Sequence, residues 1–230
     1  MRITFLLITV IGFIWGCSTQ NPNPNNSVNN ATSMPSVTIC NQVWAKKNLD
    51  VSSYRNGDVI PQITDSFTWV NLRSGAWCWY KNDSLNYSRY GKLYNWYAVN
   101  DSRGLAPNGW HVPSDAEWNK LIRCIDSTAD TTINGSQSAI AGGAMKETGT
   151  NHWLSPNIGA TNSSGFAGLP GGSRDYFGTF GFIGSYGVWW SSTELNTAGA
   201  WGRALNDGSA DVGRLNFNET YGFSVRLVRD

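Results

Sequence analysis

Aromatic side chains next to polar groups are the residues of this chain best suited to bind a ligand. Trp77, Trp79 and Tyr80 share one loop-rich stretch, and Asp175 and Tyr176 follow a Gly-rich turn. An exposed aromatic ring can stack on the apolar face of a sugar while neighbouring polar groups bind its hydroxyls. These five residues are the candidate ligand-binding set, and packing of the same aromatics in the core is the competing interpretation.

The residue types needed for catalysis are scarce. His111 and His152 are the two histidines of the sequence, and neither belongs to an H-E-x-x-H, G-x-S-x-G or P-loop pattern. We expect a structural hydrogen bond from His111 and no role for His152. The sequence therefore predicts no catalytic residue, no metal site and no cofactor. An enzymatic alternative would use carboxylates such as Asp175 and Glu194.

The charge balance argues against nucleic acid as a partner. There are 17 Lys and Arg residues against 16 Asp and Glu, and the net charge is +1. Proteins that bind nucleic acid usually carry a basic face, yet the longest basic run is Lys46-Lys47. Only 14% of the residues are charged and 12 are tryptophan, a balance that favours a loop-rich extracytoplasmic domain over a helical enzyme.

The amino terminus has the pattern of an export signal. Arg2 precedes an apolar run, from Phe5 to Ile14, which is shorter than the about 20 apolar residues of a membrane-spanning helix. Gly16-Cys17 follows directly. This order resembles a bacterial lipoprotein signal, although Trp15 replaces the usual small residue.

The resemblance implies lipidation of Cys17 and removal of residues 1–16; an ordinary cleaved signal is the alternative. Residues 17–36 are mainly Asn, Pro, Ser and Thr, so we expect a disordered tether between the membrane and one domain at 37–230. The predicted location is the cell envelope, as an outer-membrane lipoprotein on either face of that membrane.

Short strands and a few helices must position the candidate residues. Ser114 and Glu117 form a capping-box pattern that starts a helix, and a second helix is predicted from Ser138 to Lys146. The predicted hairpins are Val37–Ile39 with Gln42–Trp44, and Trp201–Leu205 with Ala210–Phe217. The sequence thus predicts an α+β domain with short antiparallel strands, about two helices and long irregular loops.

Alternation predicts which residues face the core at the carboxyl terminus. Phe223, Val225 and Leu227 fall on one face of a strand, and Ser224 and Arg226 fall on the other. Trp189 and Trp190 are adjacent and must point to opposite faces, so we expect one in the core and the other exposed.

Three cysteines remain beyond Cys17, namely Cys40, Cys78 and Cys124. An oxidising compartment permits one disulfide with one thiol left over, or no bridge. We regard all three as structural.

Six ordered sequence blocks together resemble the Fibrobacter succinogenes major paralogous domain, a family of secreted or lipid-anchored bacterial proteins of unassigned role. They read N-Q-V-W-A-K-K-N-L-D-V, Y-G-K-L-Y-N-W-Y-A-V, A-P-N-G-W-H-V-P-S-D-A-E-W, L-P-G-G-S-R-D, W-W-S-S-T-E and S-V-R-L-V-R-D. More distantly, P-S-D-A-E-W and G-F-S-V-R-L are similar to formylglycine-generating enzymes, which implies a C-type-lectin-like (sulfatase-modifying-factor-like) fold. The late cysteine pair of those enzymes and the calcium motifs of lectins are absent from the sequence.

The sequence therefore predicts a lipid-anchored envelope protein that binds a glycan or another envelope protein without catalysis. The alternatives are an enzyme on the same scaffold, acting on envelope or extracellular polymers, and a purely structural envelope component.

Overall fold

The computed structural model describes residues 34–230, which form an α+β domain. Predictions for residues 1–33, including lipidation of Cys17, lie outside the described residues. Within 34–230 the helices are α1 Ser66–Asn71, α2 Ser84–Tyr87, α3 Trp96–Val99, α4 Asp115–Ile125 and α5 Ala141–Met145. The strands are β1 Ser36–Ile39, β2 Gln42–Ala45, β3 Trp77–Cys78, β4 Leu93–Tyr94, β5 Trp110–His111, β6 Gly135–Ser138, β7 Gly171–Arg174, β8 Phe180–Ile183, β9 Tyr186–Asn196, β10 Gly199–Asn206, β11 Val212–Asn218 and β12 Val228–Arg229.

Three sheets organise the described part of the chain. The largest has six strands in the order β6-β11-β10-β9-β7-β8, and a second has the order β1-β2-β12-β5. The pair β3-β4 forms the third. The predicted hairpins are confirmed as β1-β2 and β10-β11, both antiparallel, whereas β7 and β9 are parallel.

Helix α4 begins where the sequence predicted. The Ser114 side chain accepts a hydrogen bond from the Glu117 amide, and the Glu117 carboxylate accepts one from the Ser114 amide at 2.8 Å. This capping box satisfies two backbone donors that a helix start leaves unpaired. The second predicted helix is shorter than expected because Ser138 ends strand β6. Three further helices, α1 to α3, bring the total within residues 34–230 to five rather than about two.

The tryptophan pair of β9 corrects one prediction. Trp189 and Trp190 do point to opposite faces, but both are completely buried. Trp189 packs in the cluster that contains Trp118 of α4, and Trp190 packs in the cluster that contains Phe223. The six-stranded sheet is therefore covered on both faces at this point, and neither indole is available to a ligand.

The carboxyl-terminal segment corrects another prediction. Phe223, Val225 and Leu227 are buried as expected, but Ser224 and Arg226 on the opposite face are also buried. Only Val228–Arg229 belongs to a strand within this segment. Strand β2 and the loop at Phe166 cover the polar face, since Arg226 donates to the carbonyl groups of Ala45 and Phe166.

Buried cations hold several irregular loops in place. The Lys146 ammonium donates to three carbonyl oxygens, those of Ile158, Asn206 and Ser209, at 2.7–2.8 Å. The Arg174 guanidinium likewise donates to Ile63 and to neighbouring backbone groups. Loop carbonyls removed from water need such donors, so these side chains take the place of ladder hydrogen bonds where no strand or helix forms.

A disulfide links the first hairpin to helix α4. Cys40, in the β1-β2 turn, is bonded to Cys124 across 84 residues of chain. Cys78 remains a buried free thiol. The first of the alternatives left open by the sequence, one bridge and one thiol, is the one observed.

Candidate functional site

The first group of predicted ligand residues lies largely in the core. Trp77 is 7% exposed and Tyr80 is 4% exposed. The Trp77 indole donates to the Ile60 carbonyl at 2.9 Å, and the Tyr80 ring packs edge-on against Phe180. The expectation of exposed sugar-stacking faces is therefore wrong for these two residues, because strand β3 and its neighbours turn both rings inward.

Trp79 is half-buried and packs edge-on against Trp77. The ammonium of Lys92 lies 4.1 Å from the centroid of the Trp77 ring and 5.3 Å from that of Trp79. Lys92 is itself paired with Asp50. This cation–π cluster uses the indole faces internally, so the Trp77-Trp79-Tyr80 stretch is explained by packing.

The second group lies at the surface, on the loop between β7 and β8. The Asp175 carboxylate accepts hydrogen bonds from the amides of Phe177 and Thr179, at 2.9 and 2.8 Å. This arrangement holds Tyr176 and Phe177 outward, 41% and 65% exposed. Asp175 thus positions an exposed aromatic pair rather than lying free for a ligand.

Near that loop, a groove of about 210 Å³ lies on the face of the six-stranded sheet that carries Val188 and Trp190. We call it the sheet groove. Val188 of β9 and Ala204 of β10 form its floor. Its walls are aromatic or aliphatic, consisting of Phe182, Tyr186, Leu215, Phe217 and Tyr221.

The groove exists because strand β10 alternates large and small residues. Trp201, Arg203 and Leu205 point toward the side of helix α4, whereas the opposite face carries Ala200, Gly202 and Ala204. Successive side chains of a strand point to opposite faces, so the small ones leave a trough along one face. The Phe217 ring lies over Gly202, where an added Cβ would meet it at 3.2 Å.

The rings of the groove form two walls. On one wall the rings of Tyr221 and Phe217 lie 5.6 Å apart between centroids. Tyr176 extends this wall from just outside the lining, with its ring 5.5 Å from that of Tyr221. On the other wall Phe182 and Tyr186 are 5.3 Å apart. Aromatic faces therefore line both sides of an open trough.

Phe182 stands on a strained backbone. Its φ is 66°, a left-handed value that is rare for a bulky residue. Such conformations cost about 1–3 kcal/mol and tend to occur at binding sites. The strain holds the Phe182 ring outward at 62% exposure, as part of the groove wall.

The lining of the sheet groove carries no charged side chain. The nearest ionisable groups are phenols, and burial, together with nearby Tyr176 and Asp175, raises the pKa of Tyr221. Tyr221 therefore stays protonated at neutral pH and keeps a hydroxyl that can donate or accept. The groove can therefore bind a ligand through apolar stacking and through hydrogen bonds to uncharged groups.

The two carboxylates named for the enzymatic alternative, Asp175 and Glu194, interact with different groups. Glu194 lies near the buried Glu219, and burial followed by this neighbour raises the pKa of Glu219. Asp175 is bonded to its own loop instead. The structure thus associates Glu194 with Glu219, not with Asp175.

Both histidines are bonded to carboxylates. His111 lies 2.7 Å from Glu117 and 2.6 Å from Asp230, through its two ring nitrogens. His152 lies 2.7 Å from Glu147. The hydrogen bonding expected of His111 is observed, and its structural role stays a prediction. His152, for which no role was expected, is partly buried and bonded.

Two features are absent from residues 34–230. No group of three or more His, Cys, Asp and Glu side chains is placed to hold a metal ion there. No helix in the same range is long and apolar enough to cross a membrane.

Sequence reasoning missed the sheet groove because it treated β10 and β11 only as hairpin arms. The signal was present in the small residues at alternate positions of β10, Ala200, Gly202 and Ala204, on a strand whose partner β11 carries Leu215 and Phe217. None of the predicted set lines the groove, and Tyr176 comes next to it through its ring contact with Tyr221.

Comparison with known proteins gives one match. No curated protein and no solved structure matches the chain. The family model of the Fibrobacter succinogenes major domain matches residues 37–229, which covers nearly all of the described structure. The chain therefore belongs to the Fibrobacter succinogenes major domain family.

Proposed function

We propose that this protein is a non-catalytic binding module of the bacterial cell envelope, and that the sheet groove binds a neutral carbohydrate. The observation that carries the proposal is the uncharged aromatic lining of an open trough on a rigid sheet. Ligand sites are commonly concave and mostly apolar, with a few polar groups that fix orientation.

A neutral sugar suits this lining better than a charged ligand does. Pyranose rings present apolar C–H faces that can stack on Phe182 or Tyr176, and hydroxyl edges that can bond to Tyr186 and Tyr221. Tyrosine supplies large contact area at a low cost in conformational entropy. An ionic ligand would find no counter-charge on the groove lining.

The proposal includes a C-type-lectin-like scaffold. In support, strand β2 near the start of the domain and strand β12 near its end pair in one sheet. A long segment without helix or strand also separates α5 from β7. The distant resemblance implies termini that meet in one sheet and long irregular loops above it, and both features agree with that arrangement. Fold alone does not assign a ligand.

We also propose a membrane anchor at Cys17, with the residues between Cys17 and strand β1 as a tether to the outer membrane, since Ser36 already belongs to β1. Its support is the order of the amino-terminal sequence, in which an apolar run is followed by Gly16-Cys17. A multiply acylated cysteine anchors stably because each buried CH₂ contributes about 0.8 kcal/mol.

A glycan array with the full chain, purified in a neutral detergent, tests the binding function. We expect neutral oligosaccharides to be retained and Phe182→Ala or Tyr176→Ala to weaken retention roughly tenfold, since stacking on an aromatic ring contributes about 1–3 kcal/mol by alanine substitution at stacked bases. Phe67→Ala is the matched control, because Phe67 is 79% exposed and does not line the groove. A blank array, or equal binding by Phe182→Ala and the parent chain, would contradict the proposal.

A further inference from the structure

A second pocket, separate from the sheet groove, has four cations and two carboxylates in its lining. It lies between the segment after β2, the turn before β4 and the segments beside Glu147 and Ala167. Its volume is about 440 Å³, within the about 300–1,000 Å³ usual for small-ligand sites. Its charged lining consists of Lys46, Lys47, Arg89 and Arg226 with Asp50 and Glu147. We call it the cationic pocket.

The two carboxylates of the pocket are already engaged. Asp50 accepts the ammonium of Lys92 at 3.1 Å. Glu147 is hydrogen-bonded to His152 at 2.7 Å. Both carboxylates therefore pair with residues outside the pocket lining, and neither forms an ion pair with a cation of the pocket.

None of the four cations forms an ion pair within residues 34–230. Lys46, Lys47 and Arg89 are exposed. Four positive charges thus converge on one concavity with two engaged carboxylates, which gives the lining a formal charge of +2 by difference. A concave site with an excess of one sign of charge attracts the opposite sign.

Arg226 adds to the excess of positive charge in the pocket because no carboxylate is paired with it. Its side chain has no exposed surface, and its donors bind neutral acceptors, the Ala45 and Phe166 carbonyls and the Asn48 amide oxygen. Burial lowers its pKa, but a guanidinium stays charged in proteins. By contrast Arg203, equally buried, is paired with Asp115 at 2.8 Å.

Lys146 and Arg174 are also buried cations bonded to carbonyl groups. The hydrogen bonds of Arg226 can therefore be explained by the same structural role, which is to satisfy buried carbonyl groups. It does not account for Lys46, Lys47 and Arg89 around the same pocket, because these exposed cations bond to no buried loop. The clustering of free cations above a buried one points to a ligand.

We propose that the cationic pocket binds an oxyanion group, a carboxylate or a phosphate, carried by a ligand of about monosaccharide size. Lys46, Lys47 and Arg89 contact the anion directly, and the arginine binds it in the bidentate manner suited to a planar guanidinium. Arg226 acts from beneath through its charge. Carboxylate-bearing sugars and phosphate groups share this chemistry.

Isothermal titration at low ionic strength tests the proposal on the full chain in neutral detergent. The probes are sodium glucuronate and inorganic phosphate, with glucose as the uncharged comparison. We expect saturable binding of at least one anion, weakened roughly tenfold in Lys47→Gln/Arg89→Gln because charge-assisted hydrogen bonds are lost. Added salt should weaken binding in the parent chain.

The matched control is Lys81→Gln/Lys120→Gln, which removes the same charge from two exposed cations outside the pocket. We expect it to bind within about twofold of the parent chain, since distant exposed charges are screened. Preference for glucuronate identifies an acidic sugar as the source of the anion, and preference for phosphate identifies a phosphate group; either supports the pocket.

Three results would overturn the proposal. These are no saturable binding of either anion, equal binding of glucose and glucuronate in the absence of phosphate binding, and equal weakening in the control and pocket variants. Thermal melting of each variant checks folding, and Lys47→Gln alone, an exposed substitution, provides a second reading if the double variant unfolds.

Discussion

The side-chain oxygen of Asn48 accepts hydrogen bonds from Nε and Nη2 of Arg226 at 3.1 and 2.9 Å, across 178 residues of sequence. The same oxygen accepts the indole N–H of Trp189 at 2.8 Å. One amide therefore joins the segment after the first hairpin, the central sheet and the carboxyl-terminal segment. It also connects the floor of the cationic pocket to the core.

Asn48→Ala should destabilise the fold strongly. The substitution leaves the buried donors of Arg226 and Trp189 without their acceptor, and we expect a loss of about 2–4 kcal/mol in the free energy of unfolding. Urea denaturation measures it. Asn56→Ala, at an exposed turn position, should change stability by less than about 0.5 kcal/mol; similar losses in both variants would show that Asn48 is not a hub.

Lys146→Met should also be costly, because the carbonyls of Ile158, Asn206 and Ser209 lose their common donor. We expect a loss of about 2–4 kcal/mol in the free energy of unfolding. Lys120→Met replaces an exposed lysine and serves as the control in the same denaturation series. Equal stability of the two variants would show that the hydrogen bonds of Lys146 to these carbonyls do not stabilise the fold.

Removal of the Cys40–Cys124 disulfide should lower stability by about 2–5 kcal/mol, as expected for a bridge that closes a long loop. The double variant Cys40→Ala/Cys124→Ala and the parent chain in reductant should then unfold at similar urea concentrations. If the oxidised parent and the double variant unfold together, the bridge does not form in the protein.

The free thiol of Cys78 should be unreactive in the folded protein. Burial raises its pKa to about 12, so the nucleophilic thiolate is nearly absent at pH 8. Mass spectrometry after iodoacetamide treatment should find Cys78 alkylated in urea and unmodified in buffer. Rapid alkylation under native conditions would show that the β3 region opens.

His111 should make stability depend on pH. Burial disfavours its charged form, but the bonds to Glu117 and Asp230 outweigh burial, and the pKa of His111 is raised. The stabilisation is therefore fully present below the unfolded value of about 6.5 and is lost as pH rises through the folded pKa.

His111→Gln should accordingly destabilise the protein more at pH 6 than at pH 9. An exposed ion pair contributes about 0.2–1 kcal/mol, so the difference between the two pH values should lie in that range. The pKa of Glu117 is lowered, which keeps its carboxylate charged at pH 6. The same loss at both pH values would mean that the His111 charge contributes nothing.

Local sequence determined the parts of this structure whose causes lie within a few residues. Ser114 and Glu117 specify the start of helix α4 because a capping box needs only those two side chains and their own amides. The hairpins follow from apolar runs separated by turn-forming residues. The ordered blocks also indicated the family that the match over residues 37–229 confirms.

The tertiary structure alone decided what covers each face. Alternation placed Trp189 and Trp190 on opposite faces, but their common burial depends on helix α4 and the Phe223 segment. Periodicity specifies which residues share a face and carries no information about the element that packs on it. For the same reason the sequence did not reveal that neighbouring elements bury the rings of Trp77 and Tyr80.

The sequence by itself thus determined the family, the helix cap and the hairpins. The tertiary structure decided the sheet groove and the cationic pocket, because each is assembled from segments far apart in the chain. Ala204 meets Phe182 and Tyr221 only when the six strands pair, and Arg226 comes beneath Lys46 and Arg89 only when the two ends of the domain join. Long-range contacts of this kind depend on the whole packed core rather than on local pattern.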